Sequence, residues 1–165
     1  MTARKPIVFA TLLLAAALAG FALAQQKPGE VRLTPADISS LPAGGASAGT
    51  SGVSGIETRT LSGDPTAAGP YTIALRVPPN TQIQAHTHRD DRTAVVVSGT
   101  WNFGYGQKAE RALEKALGPG SFYSEPAGVA HFARTGAEPV TLYISGYGPT
   151  DTRYVDEGGD PRGSR

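Results

Sequence analysis

The stretch "QAHTHRDDRTAVVVSG", residues 84–99, carries two of the three histidines in this chain of 165 residues. Side chains two residues apart on a β-strand point to the same face, so a strand here would place the imidazoles of His86 and His88 side by side. Two imidazoles in that arrangement suit coordination of one metal ion. Two exposed histidines at a strand edge would give the same pattern, so the pair alone leaves both interpretations open.

The third histidine lies in a second patterned stretch, "GPGSFYSEPAGVAHFART", residues 118–135. The two stretches together resemble the paired motifs of the cupin superfamily, and the resemblance covers residues 80–135. The positions that match the first motif are Asn80, His86, His88 and Gly99. Those that match the second are Gly120, Pro126, Gly128 and His131, with Thr135 where asparagine is usual. All three histidines fall on the ligand positions of that family, which makes the resemblance specific.

The resemblance implies an all-β fold, a small cupin barrel of the double-stranded β-helix or jelly-roll type. It also implies a divalent metal ion, commonly iron, manganese, nickel or zinc, held by His86, His88 and His131. Three neutral imidazoles can hold such an ion and leave positions open for water, oxygen or substrate. The family would permit a dioxygenase- or isomerase-like enzyme acting on a small anionic organic molecule. The alternative is a non-catalytic binding or sensor module, metal-free or with a structural metal, and the residues identify no catalytic group.

Arg92 occupies the position at which the cupin pattern has a metal-binding glutamate. An arginine keeps its proton, and its charge repels a nearby divalent cation. Three arrangements are open: a side chain turned outward to pair with Asp90, Asp91 or Glu125, one turned inward to bind an anionic substrate, or a metal-free site that clasps an anion. Asp91 could supply a carboxylate only through a one-residue register shift, which would turn its side chain to the other face.

Short runs rich in β-branched and aromatic residues follow one another from residue 56 onward, with glycine and proline between them. This spacing predicts an all-β sandwich or barrel. The predicted strands lie within residues 71–77, 81–88, 92–106, 120–126, 130–135 and 139–148. Trp101, Phe103 and Tyr105 alternate along one run, so we expect them to share a face, mostly in the core, with one or two at the mouth of a ligand pocket.

One short surface helix is predicted over residues 109–117, where alanine and leucine recur at helical spacing before Gly118-Pro119. Residues 30–38 read as a first strand that runs into a turn. Residues 39–55 are built from glycine, alanine and serine without apolar periodicity, so we expect a flexible loop, and closure of this loop over a binding site is the alternative.

The N-terminus has the pattern of a signal peptide. Arg4 and Lys5 precede the apolar run "IVFATLLLAAALAGFALA", residues 7–24, which ends in a small-x-small cleavage site. We therefore expect export to the periplasm or full secretion, with no stable membrane anchor after cleavage. A permanent anchor is the alternative, because the apolar run is nearly long enough to span a bilayer.

Composition excludes several classes of function. The net charge of +1 provides no field that would attract nucleic acid, and the absence of cysteine excludes disulfides and thiolate chemistry. The expected partner is a small-molecule ligand, and small cupins often form homodimers. The chain divides into a signal peptide (1–24), an N-terminal strand with a flexible segment (25–55), the barrel (56–150) and a polar tail expected to fray (151–165).

Overall fold

The computed structural model describes residues 29–45 and 47–163. The predicted signal peptide lies outside these residues. Within the described ranges, no helix is long and apolar enough to cross a membrane. Residues from Val31 onward form one compact unit, and the following account concerns that unit.

Strands make up most of the regular structure. Within the described residues they are β1 (Glu57–Ser62), β2 (Gly69–Val77), β3 (Gln82–Thr87), β4 (Arg92–Ser98), β5 (Trp101–Tyr105), β6 (Lys115–Leu117), β7 (Phe122–Glu125), β8 (His131–Thr135), β9 (Val140–Gly148) and β10 (Arg153–Tyr154). Each of the six runs that the sequence predicted as strands overlaps at least one of them. The expectation of an all-β fold is confirmed.

The strands form two antiparallel five-stranded sheets, in the orders β1-β2-β9-β4-β7 and β10-β3-β8-β5-β6. Alternate residues of β2 and β9 are buried, among them Ile73, Val77 and Leu142, because successive side chains of a strand point to opposite faces. One buried apolar cluster combines these residues with Phe103 and Ala133 of the second sheet. The sheets therefore pack face to face, as in a jelly roll.

The helix predicted over residues 109–117 is wrong. Residues Arg111–Leu113 form a single 3-10 turn, and Lys115–Leu117 form β6, which pairs with β5 at the edge of its sheet. Of the apolar positions in this run only Leu117 is buried, while Leu113 is 52% exposed. A short run of mostly alanine offers little surface to bury, so backbone pairing with a neighbouring strand prevails over helical propensity.

The one α-helix in the described part of the chain lies instead at Pro35–Ser40 (α1), where the sequence predicted a first strand. Thr34 caps its N-terminus: its side chain accepts a hydrogen bond from the Asp37 amide, and the Asp37 carboxylate accepts one from the Thr34 amide. Pro35 stands at the first helical position. These residues form a capping box followed by a proline that is pre-set for helical φ. This signal is local, so the sequence alone could have placed the helix.

Two of the motif residues act at tight corners. Asn80 has φ 53° and Gly99 has φ 76°, both in the left-handed region. A Cβ at position 99 would lie 2.3 Å from the Pro139 carbonyl oxygen, so only glycine fits this turn without displacement. These two corners flank the segment from β3 to β4 that carries the first two histidines.

Candidate metal centre

The three histidines come together inside the barrel. His86 lies in β3 directly opposite His131 in β8, and His88 follows β3 by one residue. The ring centroids of His86 and His131 are 4.4 Å apart, and that of His88 lies 4.9 Å and 5.1 Å from them. One ring nitrogen of each residue lies within 4.8 Å of the others. The structure thus groups the three residues that the sequence proposed as ligands.

Each imidazole is oriented by a backbone carbonyl at its Nδ1 atom. The acceptors are the carbonyl oxygens of Gln84 for His86 (2.7 Å), Asp151 for His88 (2.5 Å) and Val129 for His131 (3.0 Å). In a neutral ring this bond places the proton on Nδ1 and leaves a lone pair on Nε2. The Nε2 atoms of His88 and His131 are buried without a hydrogen-bond partner among the described residues. Metal-binding histidines have this arrangement.

Burial keeps the rings neutral. It lowers the pKa of His86 to about 3 and that of His88 to about 2, and the Arg92 charge adds to the effect at both rings. The pKa of His131 is lowered too, chiefly by burial. At neutral pH all three Nε2 lone pairs are therefore free to bind a cation.

Arg92 is buried and bound to Glu125. The two residues lie opposite each other in the β4–β7 pair, and each is only 4% exposed. The Arg92 Nε donates to Glu125 Oε2 at 2.6 Å, Nη2 contacts the same oxygen, and Nη1 donates to the Gly49 carbonyl oxygen at 2.8 Å. Of the three expected arrangements, pairing with Glu125 occurs, but the side chain lies inside the barrel rather than turned outward.

The two acidic residues between β3 and β4 are engaged elsewhere. The Asp90 carboxylate accepts hydrogen bonds from the hydroxyls of Tyr71 (2.8 Å) and Thr150 (2.6 Å). Asp91 is exposed and accepts a hydrogen bond from the Ala127 amide at 2.9 Å. The structure therefore does not bring Asp91 to the histidines, and the register shift that would have done so does not occur.

Glu125 is the site residue that the sequence did not identify as a ligand candidate. Its Oε2 atom lies 3.6 Å from the Nε2 of His88 and 3.8 Å from the Nε2 of His131. Burial alone would raise the pKa of Glu125, but the adjacent Arg92 guanidinium outweighs it and lowers the pKa to about 2. The carboxylate is thus ionised and faces imidazole lone pairs. This electron-rich donor set fits a cation.

A cavity of about 20 Å³ lies beside these residues. Trp101 and Phe103 line it, as the sequence suggested, and Tyr123 lines it as well. Tyr105 is 45% exposed, and its hydroxyl donates to the Ser124 carbonyl oxygen at 2.6 Å. A cavity of this size has room for one water-sized occupant.

The segment predicted to be a flexible loop covers the cavity. Gly49 and Ser51 line it, and Thr50 and Ser51 are buried. The tail expected to fray holds this segment in place: the Thr152 hydroxyl donates to the Thr50 carbonyl oxygen at 2.8 Å, and the Tyr154 hydroxyl donates to that of Ser51 at 2.6 Å. The tail also contributes β10, which pairs with β3 at His86. Neither stretch has apolar periodicity, so these contacts were not visible in the sequence.

No protein-family model matches the sequence, and no curated protein matches it. Solved structures do match the fold. The polyketide cyclase RemF from Streptomyces resistomycificus is 20% identical over 79% of this chain and 88% of its own, with a TM-score of 0.63. An RmlC-like cupin from Shewanella frigidimarina NCIMB 400 is 14% identical over 66% of this chain and 85% of its own, with a TM-score of 0.50. The chain has the fold of a small cupin.

The cupin barrel explains why three residues distant in sequence converge. Strands β3 and β8 are neighbours in one sheet, so their ends bring His86, His88 and His131 to one place. At identities this low the likeness shows the fold alone, and what the site does must be argued from its own atoms. Three fixed imidazoles with free Nε2 atoms could hold a divalent ion, which would act as a Lewis acid.

Proposed function

We propose that this cupin binds one divalent first-row metal ion through His86, His88 and His131. The observation that carries the proposal is the state of the imidazoles. All three are buried, neutral and held at Nδ1 by backbone carbonyls, and the Nε2 atoms of His88 and His131 have no hydrogen-bond partner among the described residues. Imidazole suits iron, nickel and zinc, and an added oxygen ligand suits manganese as well. These four ions are the candidates.

A small anionic molecule is the proposed ligand of the loaded site. The charges of Arg92 and Glu125 cancel, and the imidazoles are neutral, so a divalent ion would leave about two positive charges inside the barrel. Buried charge without a partner is costly, and an anion would relieve it. The guanidinium cannot supply a second anion site as it stands, because each of its nitrogens already contacts Glu125 or Gly49.

An enzymatic role, of the dioxygenase or isomerase type that the cupin resemblance suggests, requires space for a substrate. The cavity of about 20 Å³ admits only a water-sized group. A larger molecule can reach the histidines only if residues 47–51 move away from the cavity. The chain's own part in such chemistry would be to bind and orient the substrate beside the ion and to exclude water once the segment closes.

A non-catalytic role is the second candidate, and the small cavity favours it. In this case the metal stabilises the barrel, or the protein serves as a sensor that binds one small ion or ligand. The two roles differ in access. If small carboxylates change the absorption spectrum of the cobalt-loaded protein, the site is open to ligands, whereas an unchanged spectrum supports a structural metal.

Metal analysis tests the proposal. The metal-free protein is incubated with each candidate ion, freed of excess by gel filtration and analysed by mass spectrometry. We expect about one equivalent of metal in the unmodified protein and in Asp91→Asn, whose carboxylate lies outside the site. The His86→Ala/His88→Ala variant should lose it. Metal content near zero in the unmodified protein for every ion would overturn the proposal.

We also propose that the protein is exported. Support comes from the sequence of residues 1–24, with its positive start, apolar run and small-residue cleavage site. Cell fractionation with mass measurement provides the test. A periplasmic or extracellular chain beginning at Gln25 is expected, and a full-length chain in the membrane fraction would indicate an anchor instead.

A further inference from the structure

Glu125 is placed among the imidazoles in a way that a hydrogen bond does not explain. Its Oε2 lies 3.6 Å from His88 Nε2 and 3.8 Å from His131 Nε2. Both distances exceed those of good hydrogen bonds. Both rings have their Nδ1 atoms against carbonyl oxygens, so neither Nε2 carries a proton to offer in the neutral ring. The lone pairs of three atoms converge without a hydrogen between them.

The spacing is that of ligands around one ion. Nitrogen and oxygen ligands lie about 2.0–2.2 Å from a zinc-sized ion, so two ligands at right or tetrahedral angles lie roughly 3.0–3.4 Å apart. The observed separations of 3.6 Å and 3.8 Å exceed this by only a few tenths of an ångström. Small side-chain rotations would close the difference.

We infer that Glu125 is a fourth protein ligand of the metal and that Arg92 positions its carboxylate. The inference rests on the proposed function. Glu125 lies in β7, directly opposite Arg92 in β4. The anionic oxygen therefore comes from the strand next to the one that carries Arg92. Arg92 fixes this oxygen through Nε and Nη2 and is itself held by the Gly49 carbonyl.

Two variants separate a ligand from a bystander. Glu125→Gln removes the anionic donor but leaves the Arg92 charge without its partner inside the barrel, which could weaken binding or folding by itself. Arg92→Gln/Glu125→Gln removes both charges. If Glu125 were not a ligand, this double variant would bind a cation about as tightly as the unmodified protein, because the ion pair that has gone carries no net charge. If Glu125 is a ligand, both variants bind more weakly.

The matched control is Glu114→Gln. Glu114 forms another well-formed arginine–carboxylate pair of the barrel, with two bonds from Arg134 Nε at 3.0 Å and 2.8 Å. It lies before β6, in the turn that leads to the edge of the sheet. Its substitution removes a partly buried ion pair without touching the histidines, so it should leave metal affinity unchanged.

The experiment is a titration of metal-free, full-length mature protein with Co²⁺, followed by visible absorption and by competition with Zn²⁺. Metal affinity should fall by about tenfold to a hundredfold or more in both variants that lack the Glu125 carboxylate. Residues that only support a metal ligand already have effects of that size. The cobalt spectrum should change shape, and Glu114→Gln should match the unmodified protein. Circular dichroism verifies that each variant is folded.

The outcomes distinguish a failure of the proposed metal binding from a failure of the Glu125 inference. If the unmodified protein binds no metal, the proposed function fails. A second outcome is that the unmodified protein binds metal and that the His86→Ala/His88→Ala variant does not. If the Arg92→Gln/Glu125→Gln variant then has the same metal affinity and cobalt spectrum as the unmodified protein, only the Glu125 inference is overturned. Should both Glu125 variants fail to fold, infrared difference spectra of the unmodified protein decide. Metal addition must shift the carboxylate stretching bands, and spectra without such a shift overturn the inference.

Discussion

Replacing Arg92 by glutamine in the metal-free protein should destabilise the barrel strongly. Arg92 and Glu125 are each 4% exposed, so the substitution leaves a buried carboxylate without its counter-charge. Removing one partner of a buried ion pair costs about 3–5 kcal/mol. The Gly49 carbonyl also loses its donor, which adds on the order of 1 kcal/mol. We expect a loss of roughly 5 kcal/mol in the free energy of unfolding at neutral pH.

The loss should depend on pH, with a sign that follows from Glu125. In the unmodified protein its folded pKa is about 2 against an ordinary 4.5, so its contribution to stability is present above pH 4.5 and is lost as pH falls towards 2. Without Arg92, burial raises the folded pKa above 4.5. The contribution of Glu125 to stability is then present below pH 4.5 and is lost as pH rises. The difference between the two proteins should therefore widen from pH 5 to pH 7.5.

Urea unfolding with a chelator present measures this difference. The single tryptophan, Trp101, is 3% exposed and reports unfolding by fluorescence. Arg92 also lowers the pKa of His88 and His131, so its removal lessens the stability that these histidines lose at low pH and widens the difference in the same direction. Arg153→Gln is the control: its side chain is 74% exposed and that of its partner Asp151 is 26% exposed, so losing this ion pair should cost at most about 1 kcal/mol at either pH. A loss below about 1 kcal/mol for Arg92→Gln, or one independent of pH, would mean that Glu125 does not depend on Arg92 for its buried charge.

Three further predictions concern the histidines and their cover. Burial lowers the folded pKa of all three histidines below the ordinary 6.5, so the metal-free protein should lose stability as pH falls below 6.5. Equal urea midpoints of unfolding at pH 5 and pH 7.5 would contradict this prediction. Gly49→Ala should cost about 1–2 kcal/mol by thermal unfolding, because φ is 80° and the new Cβ would lie 2.9 Å from the Thr150 methyl, while an unchanged Tm would count against a left-handed turn at this position. Tyr154→Phe removes the hydrogen bond to the Ser51 carbonyl oxygen, which is worth about 1 kcal/mol, so a chelator should extract the metal roughly fivefold faster. Tyr147→Phe, at an exposed tyrosine, is the control. Equal extraction rates would mean that the Tyr154 hydrogen bond does not limit access to the metal.

The sequence predicted the parts of the fold and the site that depend on local pattern. Period-two runs located the strands, and the spacing of His86, His88 and His131 located the donor atoms. The helix at 109–117 failed because its periodic positions are mostly alanine, whose small burial cannot outweigh pairing with β5. The sequence named Glu125 only as one of three possible partners of Arg92 and did not place it beside the histidines. Its role depends on lying opposite Arg92, a register 33 residues apart that no local pattern encodes.

That register changes what an arginine at this position means. Considered alone, Arg92 competes with a cation for the centre of the barrel. Bound to Glu125, it adds no net charge, and the carboxylate oxygen that it holds is the one that faces the imidazoles. Its remaining bond, to the Gly49 carbonyl, ties the same guanidinium to the segment that covers the cavity. Any movement that opens residues 47–51 must therefore break a contact to Arg92, so access to the site and the position of Glu125 are coupled through one side chain.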